Sequence, residues 1–132
     1  MTSREANVEL VRAGLDAFNR RDHEAVFALL DPEIECHVHP GLMNVGTWHG
    51  IDGYQEMMAT WGEAWEEIEM TVLGVETPDD RHVIADVQQR AVGAGSGVPV
   101  EMRLFNLYEI RDGRALRFHV YPDRDAALAA IG

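Results

Sequence analysis

Apolar residues recur along this chain with two periods, helical through most of the first half and strand-like through most of the second. Val8, Val11, Leu15 and Phe18 lie three or four residues apart, so residues 4–19 read as an amphipathic helix. Asp22 can cap a second helix through Val26, Phe27, Leu29 and Leu30, which Pro32 is expected to stop. Ile34, Cys36 and Val38 then alternate with Glu35, His37 and His39, the period of a short strand ending at Pro40. Residues 41–50 read as loop, and Asp52 precedes a long helix with Tyr54, Met57, Met58, Trp61 and Trp65 along one stripe.

Strands are expected at residues 70–76, 82–92, 98–110 and 115–121, with Arg111-Asp112-Gly113-Arg114 as a tight hairpin turn. Val83, Ala85, Val87, Gln89 and Ala91 share one side of their strand. Val100, Met102, Leu104, Asn106, Tyr108 and Ile110 share one side of the next, and these two sets form the inner face. In the last strand Phe118 and Val120 fall opposite Arg117, His119 and Tyr121, and alternation alone leaves open which set points inward. This order of elements predicts an α+β fold in which N-terminal helices pack on a strongly curved, mainly antiparallel sheet and enclose a pocket.

Asn106 stands out as an amide among apolar neighbours; leaving it unpaired would cost about 1–3 kcal/mol, so protein, water or ligand must satisfy it. The Met and aromatic stripe has two readings: plain core, or in part the wall of a cavity, since these side chains adapt to irregular apolar ligands. Asp86, Arg90, Glu101 and Arg103 occupy outward positions, where opposite charges pair across a ladder. Phe105 and Leu107 fall on that same outer face, and their exposure would favour a homodimer formed through the outer sheet face.

Composition removes several functions. Eleven Lys and Arg against 23 Asp and Glu give a formal charge of −12, which repels phosphate backbones and anionic lipid, so neither nucleic acid nor membrane is an expected partner. The 132 residues are enough for a single domain with its own core. A lone Cys36 and a polar, charged start after Met1 suit a reducing cytoplasm. Gly93-Ala94-Gly95-Ser96-Gly97 lacks the spacing and the following helix of a phosphate cradle. His37 and His39 point the same way along their strand and with His49 would suggest a metal site, but no nearby Cys or second spaced pair supports one; neither a metal nor an organic cofactor is expected.

Leu15-Asp16-Ala17-Phe18-Asn19-Arg20-Arg21-Asp22, Leu30-Asp31-Pro32-Glu33-Ile34, Trp48-His49-Gly50, Arg111-Asp112-Gly113-Arg114 and Val120-Tyr121-Pro122-Asp123, in that order, resemble the SnoaL-like branch of the nuclear transport factor 2-like superfamily. The resemblance spans essentially the whole chain and implies one cone-shaped domain over residues 1–132, often dimeric, with Phe118 and Val120 pointing inward. It also implies a range of activities: ketosteroid isomerases, polyketide cyclases and epoxide hydrolases, beside binding proteins. Motif alignment with the isomerases puts the base position on His37, the tyrosine donor on Gly14 and the protonated aspartate donor on Asn106, so that set is incomplete. The Asp, Arg, Asp set of the epoxide hydrolases is missing from the inner strand faces, since parity sends Asp86 and Arg103 outward. For cyclase chemistry only His37 or His39 is placed to serve as acid or base. Trp48 is either an aromatic against the ligand or a lid packed on the core.

The sequence thus predicts binding of a small, largely apolar carbonyl or polycyclic compound, with isomerase- or cyclase-type conversion or a non-catalytic binding or association role both open. The expected pocket is bounded by Trp48, Met57, Met58, Trp61, Gln89, Met102, Tyr108, Asn106 and Phe118. His37 stands near its polar end as base or acid, the Asn106 amide holds an oxygen, and His39 is counted among the ligand-binding residues.

Overall fold

A computed structural model of the chain describes residues 2–39, 42 and 46–131. Helix α1 (Ser3–Asn19) starts at Thr2, whose hydroxyl accepts from the Glu5 amide, and buries Val11, Leu15 and Ala17. Asp22 caps the short α2 (His23–Ala28) through the Ala25 amide. Six strands follow in one sheet: β1 (Leu30–Val38), β2 (Gly46–His49), β3 (Trp65–Glu76), β4 (His82–Gly93), β5 (Pro99–Arg111) and β6 (Arg114–Tyr121). Helix α3 (Gly50–Ala64) lies between β2 and β3, and α4 (Arg124–Ala129) closes the described chain.

The spatial order is β2-β1-β6-β5-β4-β3. The β1–β6 pair is parallel and the others are antiparallel, which makes a curved, unclosed, mostly antiparallel sheet. The inner set is as expected: Val83, Ala85, Val87, Leu104, Ile110 and Val120 join the main core. Asn106 is on that face too, 2% exposed. Outward, Asp86 pairs with Arg103 and Arg90 with Glu101.

Several boundaries differ from the sequence reading. Helix α2 ends before Pro32, and Pro32 lies inside β1, where the β1–β6 register shifts between Leu30 and Glu35; a residue without an N–H suits that irregular stretch. The expected loop at 41–50 contains β2, which pairs Cys36 with Trp48. Trp65 does not extend the α3 stripe but opens β3, well before residue 70. The register of β3 shifts between Glu66 and Glu69, where Glu67 takes a positive φ of 53°, and these glutamates hide the strand from a hydrophobic pattern while blunting an edge.

The largest correction concerns the outer face. Leu107 is only 5% exposed, because α4 folds onto it and onto Ile84 and Tyr121 through the fully buried Ala127. Phe105 packs partly against the same cluster. The apolar surface on which the expectation of a dimer rested is therefore used within the chain.

Candidate functional site

Between α1, α3 and the inner sheet face lies a partly open cavity of about 80 Å³. Helix α1 contributes Leu10, Gly14 and Phe18, one face at four-residue steps; α3 gives Tyr54 and Met58, and β3 gives Met70. Asn106, Tyr108 and Phe118 form the floor on β5 and β6. A second space of about 30 Å³ adjoins it, sharing Phe18, Met58, Met70, Asn106 and Phe118 and adding Met57 and Trp61.

The floor is aromatic. Tyr108 and Phe118 stack with ring centroids 5.2 Å apart and planes 18° from parallel, and Tyr54 leans on Phe118 at 6.3 Å. Burial raises the phenol pKa of both Tyr54 and Tyr108 above the ordinary tyrosine value; Tyr108 raises Tyr54 further, while the hydrogen bond from Asn106 lowers Tyr108 in part. Both stay protonated at neutral pH.

Polar atoms at the cavity are few and mostly committed. Trp61 Nε1 donates to Gln89 Oε1 at 2.7 Å, so each satisfies the other. Asn106 Nδ2 donates to Tyr108 Oη at 3.3 Å, while Asn106 Oδ1 is buried without a hydrogen-bond partner. No carboxylate or imidazole is among the described lining residues. The arrangement can hold one polar group of a ring compound against an otherwise apolar wall, and its described residues include no carboxylate or imidazole base.

Of the residues predicted from sequence, Asn106, Tyr108, Phe118, Met57, Met58 and Trp61 line this space. Gln89 stands behind Trp61 as its acceptor. Met102 and Trp48 pack against the core and do not line the cavity; Trp48 lies over Gly46, where a Cβ would come within 2.7 Å of the indole.

The histidines sit elsewhere. His37 is paired in register with His119, whose neighbours Phe118 and Val120 point to the cavity, so both imidazoles lie on the opposite sheet face with rings 5.4 Å apart. There His119 Nε2 donates to Glu35 at 2.8 Å, His119 Nδ1 meets the Tyr121 hydroxyl at 3.2 Å, and His37 Nδ1 meets Thr47 Oγ1 at 2.9 Å. The His39 ring leans on Tyr121. His37 and His39 are thus removed from the pocket they were expected to serve, because the alternation of β1 gives its inner positions to Ile34, Cys36 and Val38. Among the described residues no three His, Cys, Asp or Glu side chains converge as a metal site, and no helix is long and apolar enough to cross a membrane.

Sequence reasoning missed the α1 wall of the cavity: Leu10, Gly14 and Phe18. Their spacing was readable as a helix face, but nothing in it distinguishes a wall from ordinary core.

The SnoaL-like domain family matches residues 11–118. No curated protein matches the sequence. Among solved structures, an NTF2-like protein of unknown function from Burkholderia pseudomallei K96243 is 20% identical, with 94% of this chain and 95% of that one covered at a TM-score of 0.80. TerC, co-crystallised with polyporic acid, is 20% identical over 95% of this chain and 96% of its own, again at 0.80. A candidate SnoaL-like polyketide cyclase from Jannaschia sp. CCS1 is 20% identical over 99% and 94%, at 0.77. At such identities the likeness is one of fold.

Proposed function

The chain belongs to the SnoaL-like domain family, and from that premise we propose that it binds a small, flat, largely apolar compound of the carbonyl or polycyclic kind between α1, α3 and the sheet. The observation that carries this reading is a single buried, unpartnered amide oxygen, on Asn106, in an otherwise apolar aromatic cavity. A core that existed only for stability would gain by an apolar residue there, since an orphaned buried acceptor costs about 1–3 kcal/mol. The polyporic acid of TerC and the polyketide cyclase assignment of the Jannaschia protein, each a property of that protein, fit the same ligand shape.

Binding is the primary role on this reading. A cofactor-independent isomerase or cyclase step in this cavity would draw on Tyr54, Tyr108 and Asn106 to polarise an oxygen, with water or the substrate itself accepting the proton.

The test is thermal unfolding against a panel of naphthalene, aromatic polyketides, steroids and small cyclic ketones. A ligand present at 100 times its dissociation constant adds about 2.7 kcal/mol, which raises the midpoint by several degrees. The expected result is a shift with at least one planar class, weakened in Asn106→Leu. No shift with any class would reject the binding role in favour of an association module.

A further inference from the structure

From the Asn106–Tyr108 pair we infer the chemical class of the ligand: an aromatic or enolised ring carrying a hydroxyl, which donates to one member of the pair and accepts from the other. This rests on the ligand-binding reading above and narrows it.

The inference comes from counting donors and acceptors. Asn106 Nδ2 donates to Tyr108 Oη, and Asn106 Oδ1 has no partner. A phenol oxygen that accepts one bond still carries its own proton. The pair therefore offers a ligand one acceptor oxygen, Asn106 Oδ1, beside two remaining donors, the Tyr108 hydroxyl and the second Nδ2 hydrogen. With the carboxamide turned over, Tyr108 would donate to Oδ1, leaving both Nδ2 hydrogens as donors and the phenol oxygen as acceptor. In either orientation at least one donor and one acceptor remain side by side.

With the carboxamide as it stands, a ketone or ether oxygen, which only accepts, would leave Asn106 Oδ1 orphaned as it buried it. A hydroxyl does both. It is the smallest group that satisfies the pair, and a site built to bond a hydroxyl discriminates strongly against analogues lacking it. The requirement for a flat ring comes from the floor, where Tyr108 and Phe118 stack nearly parallel and Phe18, Met58 and Met70 close over the space they share with Phe118.

The other polar atoms do not change the count. Trp61 Nε1 and Gln89 Oε1 are spent on each other. The Tyr54 hydroxyl adds a second protonated phenol to the cavity, itself a donor and an acceptor, so it imposes no preference against a hydroxyl.

Three probes of one shape separate the possibilities: 2-naphthol, 2-methoxynaphthalene and naphthalene, titrated into the protein with isothermal calorimetry as the readout. The wild type should bind 2-naphthol at least about tenfold more tightly than its methyl ether. Asn106→Leu should bring the two within about twofold of each other while naphthalene still binds, and Tyr108→Phe, which keeps the stacked ring, should reduce the preference as well. Circular dichroism of each variant confirms that it is folded. Equal binding of naphthol and ether by the wild type, or preference for the ether, would overturn the hydroxyl assignment and leave the pocket in place. Failure of all three probes to bind, naphthalene included, would overturn the pocket reading and this inference with it.

Discussion

Gly14→Ala should make the protein more stable and a poorer binder at once. Gly14 lies in the interior of α1, where glycine is about 1 kcal/mol less favourable than alanine. Its φ is not positive, and a Cβ there would meet only Leu29 Cδ1 at 3.6 Å, an ordinary contact, so no strain offsets the gain. With an unfolding entropy of about 2.1 cal/mol/K per residue over 132 residues, that gain corresponds to a midpoint rise of roughly 3–4 °C. The same methyl enters the cavity wall beside Leu10 and Phe18. Calorimetric unfolding and a ligand titration on Gly14→Ala and Gly14→Leu read both effects. Affinity should fall modestly with Ala and collapse with Leu, whose side chain occupies the ligand volume. A lower midpoint for Gly14→Ala would refute the geometry at this helix face, and unchanged affinity in a folded Gly14→Leu would refute the location of the site.

Asn19 bonds the backbone of edge strand β3 in both directions, Nδ2 to Met70 O at 2.7 Å and Met70 N to Oδ1 at 2.9 Å, so Asn19→Ala should cost about 1–3 kcal/mol in urea unfolding. Cys36 is fully buried and its thiol is pushed up to about 12, chiefly by burial with Glu35 adding to it; it should be inert to a thiol reagent at pH 8 until denaturant is added. His119 titrates below its ordinary 6.5 because burial penalises the imidazolium more than the hydrogen bond and charge of Glu35 favour it. A depressed histidine binds fewer protons folded than unfolded, so its contribution is present above pH 6.5 and is lost as pH falls below 6.5 toward the folded value. The unfolding midpoint should drop over that interval, and His119→Gln should flatten this part of the decline.

How much was legible from sequence depends on how regular each segment is. Strands β4 and β5 alternate without interruption, so parity alone put Gln89 and Asn106 inside and Asp86 and Arg103 outside, and Asn106 emerged as the polar residue of the cavity. Strand β1 shows the limit of resemblance. Its alternation already set His37 against Ile34, Cys36 and Val38, yet motif alignment drew His37 toward the pocket; the packing follows the alternation. Strand β2 is four residues long and exists by pairing with β1, a non-local relation that no local window contains. Helix α4 was marked by Asp123, whose side chain accepts from the Ala126 amide. Six residues, however, carry little periodicity, and missing that helix left Leu107 looking exposed.

The central claim, that the space between α1, α3 and the sheet is the ligand site, is tested most directly by methyl NMR of the protein labelled at methionine. Met58 and Met70 line the cavity, whereas Met102 packs against the core outside it. Titration with 2-naphthol should move the Met58 and Met70 methyl signals progressively to saturation and leave Met102 in place. Saturable binding that moves Met102 while Met58 and Met70 stay fixed would contradict the account and put the ligand on another surface of the fold.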